Sequence, residues 1–172
     1  MSPYAAAKAG ADRLVYSYWH TYGIPVTIIR PFNNYGPRQH LEKVIPRFIT
    51  SVILKEKLRV HGDGQAARDF VHTEDTCRAI DMILHAPADK VVGEVFNVGS
   101  GEHRTVMSIA EDITREMCHN GQCHIHVGDR PGQVMRHTAD FAKIKSVLGW
   151  APSVNWHDGL RQIIKWYWDN VD

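Results

Sequence analysis

Two observations predict an α/β fold for this chain, and a third marks how its pattern opens. Short β-branched or apolar runs alternate with longer amphipathic segments along the sequence. Gly, Pro or Asn bounds nearly every run, and these are the residues that turn a chain. The pattern also opens directly on a helix, with no Gly-rich strand–turn–helix ahead of it.

The elements follow in order. Residues 4–22 read as a helix, because Tyr4, Lys8, Ala11, Val15, Tyr18 and Tyr22 recur at spacings of three and four and share a face. Gly23 and Pro25 stop it. VTIIR, residues 26–30, is a β-branched run suited to a buried strand. RPFNNYGPR reads as a loop. A helix over 42–55 places Val44, Phe48, Ile49, Val52 and Ile53 on its apolar side. LRVHGDGQ at 58–65 reads as strand and turn, and DFVH at 69–72 as another strand. Thr73 begins a helix with Asp75 near its positive dipole end, and with Ala79, Ile80, Ile83 and Leu84 toward the core. EVFNVGSG at 94–101 is a strand entering a Gly turn. The next helix carries Val106, Ile109, Ile113 and Met117 and closes at Asn120-Gly121. CHIHV at 123–127 reads as a strand, and two helices follow near 140–148 and 156–170.

At 172 residues the chain can bury roughly 70% of its unfolded surface, enough for a sizeable core. The net charge of +1, with no run of one sign, argues against nucleic acid or an anionic membrane surface as partner, since both call for a concentrated basic face. No apolar stretch approaches the ~20 residues of a membrane span, and MSPYAAAK lacks the pattern of a signal peptide. Three cysteines make no disulfide framework, so the cytoplasm is the expected compartment.

Tyr4 and Lys8 carry the first chemical signal. Four residues apart on a helix, they share a face. A free phenol, with a pKa near ~10, is a poor base at neutral pH. A neighbouring ammonium favours the phenolate, and the pair becomes a general acid/base for a hydroxyl proton. Y-x-x-x-K alone also arises by chance on a solvated helix face.

The order of further motifs is what makes the pair specific. SPYAAAKAGAD, VTIIRPFNNYGP, IPRFI, VHGDGQAARDFVHTED, FNVGSG, DRPG and LGWAP together resemble one family, across essentially the whole chain. It is the extended short-chain dehydrogenases/reductases that act on nucleotide sugars, the epimerases and dehydratases, and within them the dTDP-glucose 4,6-dehydratase group. The resemblance implies a Rossmann-type fold of which residues 1–172 are the C-terminal portion, the last parallel strands plus a small substrate-binding domain, without the Gly-rich N-terminal half. Residues 1–35 are then a remnant of the NAD-binding domain. Residues 36–172 mainly form the nucleotide-sugar domain, with 69–98 returning in part to the Rossmann sheet.

The same resemblance implies roles position by position. Tyr4 is the catalytic tyrosine, and Lys8 holds the nicotinamide ribose of NAD. Asn33 touches the sugar nucleotide and Asn34 lies near the cofactor. Lys43 and Val44 begin a helix lining the nucleotide-sugar site. Arg59, Val60 and His61 form a strand over the base. Arg68 and Arg130 bind the diphosphate, where a planar guanidinium takes two oxygens at once. Asn97 is another substrate contact, and LGWAP is structural. Read without the resemblance, both arginines suit an ordinary surface, and asparagine is common in turns for backbone reasons. His72 and Asp75 are most simply structural.

No metal is expected. Cys118, His119, Cys123, His124 and His126 crowd together, yet neighbouring residues of a strand point to opposite faces, and the spacing matches no common zinc pattern. Cys77 reads as a core residue.

The implied chemistry is transient oxidation at sugar C4 by tyrosine and NAD. Elimination across C5–C6, inversion at C4, or decarboxylation then follows. No G-x-x-G-x-x-G occurs in the sequence, the position after DRPG is Gln133 where dehydratases of the family often carry His, and the elimination carboxylates precede the tyrosine in the family. The expectation is therefore a dehydratase or epimerase, homodimeric when complete, whose C-terminal portion alone is inactive. The alternative is a non-catalytic nucleotide-sugar-binding or dimerisation module.

Overall fold

The protein is described here by a computed structural model covering residues 3–117, 124–128 and 134–170. Its first element, α1 (Pro3–Tyr22), has no buried residue. Two anchors nevertheless fix its course. Asp12 takes the Arg30 guanidinium at 2.5 Å, and the Trp19 ring lies so close to Gly93 that a Cβ there would overlap it.

Among the described residues the strands form three small sheets. β1 (Ile28–Pro31) pairs in parallel with β5 (Val95–Val98), Arg30 opposite Asn97. β2 (Asn33–Tyr35) pairs in parallel with β4 (Ala67–His72), which also takes β6 (His103–Thr105) antiparallel and β8 (Arg136–His137) parallel. β3 (Leu58–His61) pairs in parallel with β7 (His124–Val127). Parallel neighbours need crossover connections, and helices supply them. Between the paired strands lie α2 (Val44–Ile53), α3 (Thr73–Leu84), the short α4 (Ala88–Val91) and α5 (Val106–Glu116), while α6 (Ala142–Leu148) and α7 (Trp156–Asp169) follow β8 and pack onto the cores.

Two apolar clusters hold the elements. In the first, Ile45, Phe48, Ile49 and Val52 of α2 meet Leu58 and Val60 of β3, Ile109 and Ile113 of α5, and Leu160, Ile163 and Tyr167 of α7. In the second, Val71 of β4 and Ala79 and Ile83 of α3 surround Phe96 and Val98 of β5, with Ile144 and Trp150. Trp150 is the tryptophan of LGWAP. Its indole N–H donates to the Asp75 carbonyl at 3.0 Å, and Gly149 takes the left-handed conformation that ends α6. The structural reading of that motif therefore holds.

Several expectations change. On α3 the buried positions are Asp75, Thr76, Ala79 and Ile83, a narrow stripe along one side. Ile80 and Leu84 are exposed, as is Cys77, which is therefore not a core residue. NNY, read as loop, is β2. Its ladder to β4 is a tertiary contact with no local propensity behind it, and the Asn33 amide reinforces it by donating to the Asp69 carbonyl at 2.9 Å. β6, β8 and α4 were unexpected for the same reason, being too short to show a period. The Asn120-Gly121 helix end and Cys123 lie outside the described residues.

Candidate functional site

Alternation along β2, β4 and β3 builds two clefts. On β4, Ala67 and Asp69 are buried while Arg68 and Phe70 are half-exposed on the opposite face. Arg68 and Phe70 thus line a cleft of ≈ 380 Å³ together with Asn33 and Asn34 of β2, Gln39, and Lys43 and Val44 at the start of α2. On β3, Arg59 and His61 face outward and line a second cleft of ≈ 520 Å³ with Glu42, Phe48 and Val106. Val44 lines both, so the clefts adjoin.

The chemistry of the first cleft is cationic. The Arg68 guanidinium donates to the Ala67 carbonyl at 2.7 Å, and burial pushes its pKa down. No carboxylate comes within ion-pair distance of it among the described residues. A half-buried cation without a counter-charge is costly, and an anionic ligand would relieve it. The Lys43 ammonium pairs with Glu42 at 3.4 Å. Asn34 is held at both ends, since its side-chain oxygen accepts from the Thr76 hydroxyl at 2.6 Å and its carbonyl accepts from the Gln39 amide at 2.8 Å. His61 is oriented by a bond of 3.0 Å between its Nδ1 and the Gly128 carbonyl, in which the ring nitrogen donates.

The remaining expected residues lie elsewhere. The Val60 side chain is wholly buried in the first core, because it alternates with Arg59 and His61, so that side chain cannot cover a ligand in the cleft. Asn97 lies on β5 and donates to the Asp140 carbonyl at 3.3 Å, and it lines neither cleft. Tyr4 is 73% exposed on α1, with the Lys8 ammonium 5.9 Å from its ring centroid, so the two do share a face. Arg130 and Gln133 lie outside the described residues, as do Cys118, His119 and Cys123. Among the described residues no three His, Cys, Asp or Glu side chains gather as a metal site.

Sequence reasoning passed over three residues. Gln39 lines the first cleft with its side-chain oxygen buried and unpartnered, while Tyr167 donates to its carbonyl. Only its position just after NNYGPR hinted at this. Phe70 forms the apolar floor beside Arg68. Asp69, next to Arg68, is a fully buried carboxylate, and an acidic residue inside a strand run was its one available signal.

Known proteins resemble the chain throughout its length. The family profile of GDP-mannose 4,6 dehydratase matches residues 1–163. A dTDP-glucose 4,6-dehydratase of Streptomyces niveus is 40% identical over 169 residues, which are 98% of this chain and 49% of the relative. Among solved structures, dTDP-glucose 4,6-dehydratase from Bacillus anthracis in complex with NAD superposes with a TM-score of 0.92 at 36% identity, over 99% of this chain and 53% of that one. UDP-glucuronic acid 4-epimerase from Bacillus cereus, in complex with UDP-glucuronic acid and NAD, gives a TM-score of 0.92 at 27% identity over 98% and 53%. The chain spans about half the length of the curated relatives it matches. With the profile spanning nearly all of it and the parallel strands in the same arrangement, the chain belongs to the GDP-mannose 4,6-dehydratase family of extended short-chain dehydrogenases/reductases.

Proposed function

We propose that this chain forms the nucleotide-sugar-binding part of an NAD-dependent nucleotide-sugar 4,6-dehydratase or epimerase that acts on a dTDP- or UDP-hexose. The observation that carries the reading is Arg68, half-buried at the cleft without a carboxylate partner and flanked by Asn33 and Lys43. A diphosphate supplies the missing charge. The adjoining cleft, with Arg59 and His61 at its rim and Val44, Phe48 and Val106 within, suits a base. Val60 contributes its backbone at most. Asn97 and Arg130 stay in the proposal as contacts from neighbouring segments, and Asn34 as one near the cofactor.

The residues present fit one end of NAD. Tyr4 and Lys8 stand on one exposed face of α1, as a base and its tuning cation require, whereas no G-x-x-G-x-x-G for the pyrophosphate occurs in residues 1–172. NAD, when bound, supplies the acceptor for the C4 hydride. Tyr4 takes the proton of the sugar 4-hydroxyl, with the Lys8 ammonium 5.9 Å from its ring on the same face. For inversion Tyr4 would return that proton to the C4 oxygen; for elimination the C4 carbonyl stays in the product, and Tyr4 would give the proton up to solvent. The domain assignment belongs to the same proposal: residues 1–35 serve the cofactor, 36–172 the nucleotide sugar, and 69–98 partly the cofactor sheet. So do a homodimer and a cytoplasmic location, the latter supported by the sparse cysteines. The exposure of most of α1, in which no residue is buried, favours a second reading, a binding or dimerisation module without turnover.

Calorimetric titration of dTDP and UDP into the chain tests the binding role. A dissociation constant below about 1 mM is expected for one of them. Arg68→Ala should weaken it at least about tenfold, the equivalent of one charge-assisted hydrogen bond of about 1.5 kcal/mol. Equal affinity in the variant, or no heat from the wild type, would overturn the reading.

A further inference from the structure

Asp69 is the most heavily hydrogen-bonded group beside the cleft, and no ligand role accounts for it. The residue is 0% exposed. Its Oδ1 accepts from the Ser100 amide at 2.8 Å and the Ser100 hydroxyl at 2.7 Å. Its Oδ2 accepts from the amides of Gly101 at 2.9 Å and Ala139 at 3.0 Å. No cation forms an ion pair with it among the described residues, so the charge is balanced by backbone and hydroxyl dipoles, as in an anion-holding nest.

What those donors belong to gives the carboxylate its meaning. Ser100 and Gly101 form the turn that follows Asn97 on β5. Ala139 follows β8 and precedes Asp140, whose carbonyl takes the Asn97 amide at 3.3 Å. The Asp69 carbonyl accepts from Asn33, and Arg68 is the preceding residue. One buried carboxylate therefore ties together Arg68 with Asn33, the turn behind Asn97, and the segment after β8. The fit is close: a Cβ on Gly99 would overlap that of Ala139 and come within 3.1 Å of Asp69 Oδ2. Because side chains alternate on β4, fixing Asp69 inward fixes Arg68 and Phe70 toward the cleft.

We infer that Asp69 is a positioning residue for diphosphate recognition, holding Arg68 in register with the segments that bear Asn97 and Ala139; this rests on the function proposed above. Asp69 touches no ligand itself. An asparagine at this position keeps the volume but turns an N–H₂ toward two donors, so the convergence loosens while the strand remains.

The test compares dTDP with thymidine on the intact chain, wild type against Asp69→Asn. The expected result is dTDP binding at least tenfold weaker in D69N, with thymidine affinity, followed by NMR shifts of Val44 and His61, within twofold of wild type. General damage to the fold would weaken both ligands alike, and that result, or unchanged dTDP affinity, overturns the inference. Ser100→Ala, which removes one of the four bonds to Asp69 together with the hydroxyl's contacts to Glu102, decides the matter if D69N does not fold: a two- to fivefold loss for dTDP alone supports positioning, and wild-type affinity overturns it. Failure of the wild type to bind dTDP would overturn the proposed function, and the inference with it.

Discussion

Replacing Asp75 by alanine withdraws one acceptor from four donors at once. Its carboxylate, 1% exposed, accepts from the amides of Ser153 at 3.0 Å and Val154 at 3.0 Å, from the Ser153 hydroxyl at 2.7 Å, and from Arg78 at 2.5 Å. The Arg78 side chain is 39% exposed and can turn to water, so it adds little to the cost. The two amides cannot turn, and a buried donor left unpaired costs about 1–3 kcal/mol. A loss of about 3–4 kcal/mol follows, against a total near 5–15 kcal/mol for a domain. At about 2–4 °C per kcal/mol for a chain of this size, Tm should fall by roughly 6–16 °C. The pH dependence carries a sign. Burial raises the Asp75 pKa, but the bonds from Val154, Ser153 and Arg78 outweigh it and hold the group below its ordinary value. A depressed folded pKa gives stability that is complete above the unfolded value of about 3.9 and lost as pH falls through the folded one. Urea denaturation of wild type and D75A at pH 7, 5 and 3 is the assay. The difference between them should be the same at pH 7 and 5 and smaller at pH 3. A difference under about 1 kcal/mol at pH 7, or one that does not shrink in acid, refutes the reasoning.

Two further stability measurements probe other parts of the same body. His72 is buried with its Nε2 unpartnered, and burial lowers its pKa against the opposing pull of Glu74 and Asp75. The unfolded chain thus binds the proton first, and stability should decline as pH drops below about 6.5; His72→Gln should flatten that slope in urea melts, and an unchanged slope would reassign it to other histidines. Ile163 lies fully buried between α7 and its neighbours in the first core, so Ile163→Ala should cost about 2–5 kcal/mol by thermal or chemical denaturation, whereas Ile163→Val should cost about 1 kcal/mol.

What the sequence disclosed depended on the range over which its signals act. The longer helices were legible because a stripe such as Phe48, Ile49 and Val52 recurs within one element. β2, β6 and β8 were not, because three residues such as His103–Thr105 acquire strand geometry only through β4. On α3 the period was seen but its width was overstated: Ile80 and Leu84 fit the spacing yet lie beyond the stripe of Asp75, Ala79 and Ile83 that meets the core. Apolar spacing marks a possible face, and only the packed neighbour decides how much of it is covered.

The candidate site follows the same logic one level up. Motif order brought Asn33, Lys43, Val44 and Arg68 to one cleft, and Arg59 and His61 to the next. It treated RVH as a unit, although in a strand Val60 must face opposite its neighbours, and the wholly buried Val60 shows that a contiguous motif cannot serve a ligand with every side chain. The same alternation makes Arg68 and Asp69 complementary. Arg68 faces the cleft, with burial raising the cost of its unpaired charge, while Asp69 faces inward and spends its own charge on holding the surrounding turns. Exchanging their sides by a one-residue slip would bury the guanidinium among amide donors and expose the carboxylate to the cleft, so the register of β4 is defended electrostatically as well as by Val71 in the second core. A site that must present a cation without a partner therefore acquires its rigidity from an anion on the very next residue, directed the other way.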